Sequence, residues 1–156
     1  MTRRIVTFAL ASFALLSSAA FFAVAQQSGT ASEAKAMLNR AVFALKANEA
    51  TALAAFNDKS NKDYHDRDLY VFCYHMNDGM FTAHVNPAMM AKDVRSIKLG
   101  GHSLGQRTFD VTKNAPEGTA STVDYMFPKP GTTAPVPKES YVTRIGNEGC
   151  GVGYYK

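Results

Sequence analysis

The chain has 156 residues, 46% of them hydrophobic and 19% charged, which suffices for one ordinary domain whose core needs neither metals nor covalent staples. Its formal net charge is +4, from 17 basic and 13 acidic residues. No lysine–arginine cluster stands beside aromatic residues, so a nucleic-acid partner is excluded.

The first element is an export signal over residues 1–25. Arg3 and Arg4 form its positive start, Ile5 to Phe22 are apolar or small, and Ala23-Val24-Ala25 is a small-residue cleavage site. The uncharged run from Ile5 to Ala25 is also long enough for a membrane anchor. Ser12, Ser17, Ser18 and many alanines dilute it, however, and no positive cluster follows. Cleavage is therefore expected, leaving residues 26–156 in the periplasm or secreted. Without Arg3 and Arg4, 15 basic residues face 13 acidic ones, a net of +2.

Residues 26–31 read as a short disordered leader. From Ser32 to Lys46, the spacing of Ala34, Met37, Leu38, Ala41, Val42 and Leu45 predicts an amphipathic helix. Asn48 is a cap for a second, shorter helix reaching Phe56, and residues 57–68 read as a loop. Leu69 to Met76 is a continuous apolar and aromatic run, a strand buried on both faces. Asn77-Asp78-Gly79 is a hairpin turn, and Met80 to Val85 a second strand broken by Asn86-Pro87. Residues 88–98 have room for a short helix, and residues 100–119 carry no clear pattern. A third strand spans Ser121 to Phe127. Pro128 to Pro137 reads as a stiff loop, followed by strands at Lys138 to Ile145 and Glu148 to Tyr155. Helices first, then five antiparallel strands, is an α+β order.

Six pieces of the chain, in order, carry a family resemblance. They are Asp68-Leu69-Tyr70-Val71-Phe72, Asn77-Asp78-Gly79, Ala83-His84 before Asn86-Pro87, Val123-Asp124-Tyr125 before Pro128-Lys129-Pro130-Gly131, Lys138-Glu139-Ser140-Tyr141-Val142, and Gly151-Val152-Gly153-Tyr154-Tyr155. Together they resemble the single Cache domain, the extracytoplasmic sensor module of bacterial chemoreceptors and sensor kinases, over residues 32–156. The resemblance implies a PAS-like fold with a long N-terminal helix along a five-stranded antiparallel sheet. It also implies a pocket under the loops of the other face, a small metabolite such as a short carboxylate as ligand, no cofactor, and a role in signal transduction. Two departures stand out. Residues 97–118 lack the acidic, glycine-containing stretch expected there. No transmission helix or output domain follows Lys156, so a stand-alone exported sensor is expected, working through a separate membrane receptor or sensor kinase.

An anion in an apolar pocket needs a fixed cation or several donors. The candidates are His84, Lys138 and the hydroxyls of Tyr125, Tyr141 and Tyr74. Lys138 and Tyr141 are three apart, so a regular strand turns them to opposite faces. The alternating Gly149, Gly151 and Gly153 bare one face of the last strand, which points to close approach by a helix or a ligand. Cys73 and Cys150 are compatible with a disulfide in an oxidising compartment or with two small buried hydrophobes. If Asp78-Gly79 closes a two-residue hairpin, Cys73, His75 and His84 gather on one face as a metal-binding alternative, sensitive to a one-residue slip. His65 and His102 read as solvated loop residues. The sequence has no nucleophile elbow, no H-E-x-x-H and no phosphate loop, so a non-enzymatic role is expected. A ligand-free interaction module of the same fold is the other reading.

Overall fold

The structure, a computed structural model, describes residues 28–156; the expected export signal and Gln26-Gln27 lie outside the described residues. The described part of the leader is tied down, against the expectation of disorder. The Gly29 amide donates to Asp68 Oδ1 at 2.6 Å, and Thr30 caps the first helix.

Helix α1 (Ala31–Ala47) starts at a reciprocal cap in which the Thr30 hydroxyl accepts from the Glu33 amide while the Glu33 carboxylate accepts from the Thr30 amide. It buries Ala34, Met37, Leu38, Ala41 and Leu45, the stripe read from spacing. Asn48, in extended backbone, ends α1 and caps α2 (Glu49–Asn57), its Oδ1 accepting from the Thr51 amide at 2.8 Å. The loop beyond contains a two-residue strand, β1 (His65–Asp66). His65 is buried rather than solvated, its Nε2 2.6 Å from the Phe56 carbonyl.

Strands β2 (Leu69–His75), β3 (Phe81–Ala83), β4 (Ser121–Pro128), β5 (Pro135–Ile145) and β6 (Glu148–Tyr155) form an antiparallel sheet ordered β2-β6-β5-β4, with β1 and β3 both pairing with β2. Five principal strands and an α+β architecture thus agree with the expectation. Burial of β2 on both faces explains its unbroken apolar run. Leu69, Val71 and Cys73 join Cys150, Val152 and Ile145 under α1 and α2. Tyr70, Phe72 and Tyr74 point the other way, into a second core with Phe81, Val94, Phe109, Val123 and Val142. Among the described residues no helix is long and apolar enough to cross a membrane.

Three local expectations need correction. Residues Leu104–Asn114 form a helix, α3, where no pattern was legible. Thr108 and Thr112 hold buried positions there because their hydroxyls donate to carbonyls four residues back, each at 2.9 Å. Pro135 and Pro137 lie within β5 rather than in a loop. The Pro137 carbonyl accepts from Lys156 on the β6 side, so the proline nitrogens face the side on which β6 is ending and no donor is required. The β2–β3 connection is longer than a two-residue turn. Gly79 donates to the His75 carbonyl, Cys73 pairs with Ala83, and the register shifts before Tyr74 pairs with Phe81. His84 therefore does not sit opposite Cys73, and the Cys73–His75–His84 grouping does not form. Cys73 lies directly across from Cys150 in the β2–β6 ladder, and the two are joined as a disulfide.

Candidate functional site

The second face of the sheet is covered by α3 and by two 3-10 turns, Pro87–Met89 and Val94–Ser96. Between cover and sheet lies a cavity of about 50 Å³, walled by Tyr70, Phe72 and Phe81 from β2 and β3, by Tyr125 and Phe127 from β4, and by Leu104, Gly105 and Thr108 from α3. Gly105 lets the cover close. Its amide donates to the Ile97 carbonyl at 2.9 Å, and a Cβ there would overlap the Val94 carbonyl oxygen. Tyr70, His84 and Phe127 also border a wider open groove running to Lys129 and Pro130.

Lys138 does not line this cavity but stands behind its wall, against Tyr70 and Phe127. It sits inside regular β5, opposite Tyr125 on one side and Tyr155 on the other, and is 1% exposed. Its stem crosses β6 at Gly153, where any side chain would collide with it. The glycine face was read as room for a helix or a ligand. In the fold it is mostly room for side chains, since Cβ atoms at Gly149 and Gly151 would meet Tyr74 and Phe72. Lys138 Nζ donates to the Tyr70 hydroxyl at 3.3 Å and to the Tyr155 hydroxyl at 3.4 Å. It lies 4.6 Å from the Tyr70 ring centre and 4.5 Å from that of Tyr155. Among the described residues no carboxylate reaches it within ion-pair distance. Burial pushes its pKa down from 10.5 to about 7, with only the Asp68 charge opposing.

His84 lies edge-on to the rings of Tyr70 and Phe81, with centroids 5.4 and 5.3 Å away. Burial first, and the Lys138 cation second, push its pKa down to about 4, so the ring is neutral at pH 7. Its Nδ1 accepts from the Asn86 amide at 2.9 Å, which assigns the proton to Nε2. A neutral N–H donor at the border of cavity and groove results.

The remaining candidates separate. Tyr125 lines the cavity, its hydroxyl 2.6 Å from Ser140 Oγ. Tyr74 shares the face, but its hydroxyl is 2.6 Å from Thr112 Oγ1 and its ring packs on Phe109, making it a core residue away from the cavity wall. Tyr141 is on the opposite face, where strand alternation places it, stacked on Tyr154 with centroids 6.1 Å apart. The structure instead brings Tyr70, Phe127 and Tyr155 to Lys138. Tyr70 shares the parity of Tyr74 on β2, and Tyr155 continues the face bared by the glycines, so both carried a usable signal.

This arrangement can bind and orient. A buried ammonium is held by two phenols, one of which lines the cavity with its own O–H not engaged among the described residues, and a neutral imidazole N–H stands nearby.

No family model matches this sequence, and no curated protein matches it. Solved structures do match. A methyl-accepting chemotaxis protein from Vibrio parahaemolyticus aligns with a TM-score of 0.63 at 21% identity, covering 80% of this chain and 86% of that one. A periplasmic sensor domain of a chemotaxis protein aligns at 0.58 with 24% identity, covering 76% and 85%. A Cache chemosensory domain whose structure concerns carboxylic acid recognition aligns at 0.57 with 22% identity, covering 76% and 83%. The chain shares the fold of these three structures, in agreement with the fold that the resemblance to a single Cache domain implies.

Proposed function

Starting from that fold, we propose that the protein is an extracytoplasmic, non-enzymatic sensor domain that binds a short organic carboxylate in the cavity over Lys138. The observation that carries this reading is Lys138 itself, a 1%-exposed ammonium with phenol hydroxyls and no carboxylate as its close partners. An isolated buried cation is expensive to keep, and an entering carboxylate neutralises it. The Tyr70 hydroxyl, which accepts from Lys138, donates its own proton to the ligand, and His84 Nε2–H supplies a second donor. A cavity of about 50 Å³ has room for roughly three to five non-hydrogen atoms, the size of acetate or propionate. The match to a Cache domain concerned with carboxylic acid recognition agrees with this ligand class.

Ligand entry tightens the cover formed by α3 and residues 84–97, and a separate membrane receptor or sensor kinase reads the change. Calorimetric titration of the purified protein with C2 to C4 monocarboxylates tests the proposal. Saturable binding is expected, weakening as the chain lengthens past four carbons. A well-folded sample that binds none of them refutes it.

A further inference from the structure

We propose that the opposite, helix-covered face of the sheet carries a site for a divalent transition metal of the zinc class, formed by Glu49, His75 and Glu148. The inference is independent of the ligand reading, because the two sites lie on different faces. In the β2–β6 ladder the next pair on the disulfide's face is His75–Glu148, two residues along each strand from Cys73–Cys150. Helix α2 begins over that end of the sheet and brings Glu49 in from its first turn. One ligand atom from each of Glu49, His75 and Glu148 lies within 4.8 Å of the others.

Glu148 is the group that calls for an explanation. Its side chain is 0% exposed, in a position where a carboxylate needs its lone pairs satisfied. Oε2 accepts from the Thr82 hydroxyl at 2.6 Å, whereas Oε1 accepts no hydrogen bond among the described residues. That bare oxygen is 3.2 Å from His75 Nε2. Bonds of about 2.0–2.1 Å to a tetrahedral zinc ion place neighbouring ligand atoms about 3.3 Å apart, so this edge already has the spacing of a coordinated pair. His75 is partly exposed and Glu49 exposed, which leaves an entry path and lets the Glu49 side chain close the third edge by rotation. Solvent completes the set.

The surroundings fit. Thr82 holds Glu148 by its other oxygen, as outer partners of metal carboxylates do. The Asn147 amide lies 3.2 Å from His75 Nδ1; turned about its own axis it presents oxygen to Nδ1–H and frees Nε2 for a metal. One nitrogen with two carboxylate oxygens suits zinc or its neighbours better than magnesium or calcium. A bound ion ties the start of α2 to the two central strands.

The test is calorimetric titration of the chelator-stripped, disulfide-intact protein with zinc chloride, with cobalt(II) absorption as a readout of coordination. One zinc per chain is expected, with stoichiometric uptake lost in His75→Ala and affinity falling about tenfold or more in Thr82→Val. Glu49→Gln, at an exposed position that keeps the fold, weakens binding similarly, and His102→Ala leaves it unchanged. Substoichiometric uptake by the parent protein, which would reduce His75–Glu148 to an ion pair, overturns the proposal. So does one-to-one uptake that survives both His75→Ala and Glu49→Gln.

Discussion

Replacing Lys138 by methionine separates stability from binding. The ammonium titrates at 10.5 in the open chain and at about 7 in the fold, and at 1.36 kcal/mol per unit its burial disfavours the folded state by roughly 5 kcal/mol below pH 7. The folded pKa lies below the unfolded one, so the unfolded chain holds more protons between pH 7 and 10.5. The penalty is complete below pH 7 and shrinks as pH rises through that window. Methionine fills the channel over Gly153 without the charge, but gives up the ring contacts and leaves the Tyr70 hydroxyl without its donor, about 2 kcal/mol in all. Tyr155 keeps its bond to the Pro128 carbonyl at 2.6 Å. Lys138→Met should therefore be more stable than the parent by about 2–3 kcal/mol near pH 6, an advantage that is largely lost near pH 9. Over the same range it should bind no carboxylate. Urea denaturation of both proteins at the two pH values, beside calorimetry with propionate, measures all three quantities. A variant less stable than its parent near pH 6, or a difference that does not move with pH, refutes the reasoning.

Carboxylate affinity of the parent protein should fall up to tenfold per unit as pH rises above about 7, the pKa of Lys138 in the fold, and titrations from pH 6 to 9 would detect it. Tyr70→Phe should weaken propionate binding about tenfold through loss of one charge-linked hydroxyl, whereas Tyr141→Phe, on the other face, should leave the dissociation constant unchanged. Substituting both Cys73 and Cys150 with alanine opens a loop spanning 77 residues and should lower unfolding free energy by about 4 kcal/mol in urea melts. Gly105→Ala should shift α3 away from Val94 and cost about 2 kcal/mol or more, read as a lower melting temperature and weaker ligand binding.

Helix α1 was legible because one apolar stripe at three- and four-residue spacing has a single way to be buried, whereas its Thr30–Glu33 cap was passed over as part of the leader. Strands β2 and β6 were legible because runs of aromatic, β-branched and glycine residues bounded by turns fit nothing else. Helix α3 was hidden because two of its buried positions are threonines, whose hydroxyls are satisfied only once the helix exists. Pro135 and Pro137 looked like loop residues because their tolerance depends on where the neighbouring strand stops.

Local pattern therefore settled which segments pair with water and which with the core, and alternation alone already divided Lys138 from Tyr141. Only the three-dimensional pairing could decide what each buried group meets. A longer connection and a register shift between β2 and β3 broke up the Cys73–His75–His84 grouping, while the β2–β6 ladder joined Cys73 to Cys150 and set His75 against Glu148. The bared face of β6 received the stem of Lys138, and Tyr70 and Tyr155 came from distant strands to hold it. Side-chain period is a property of the chain, but register is set by turns and packing across the whole sheet, and a shift of one residue exchanges every neighbour.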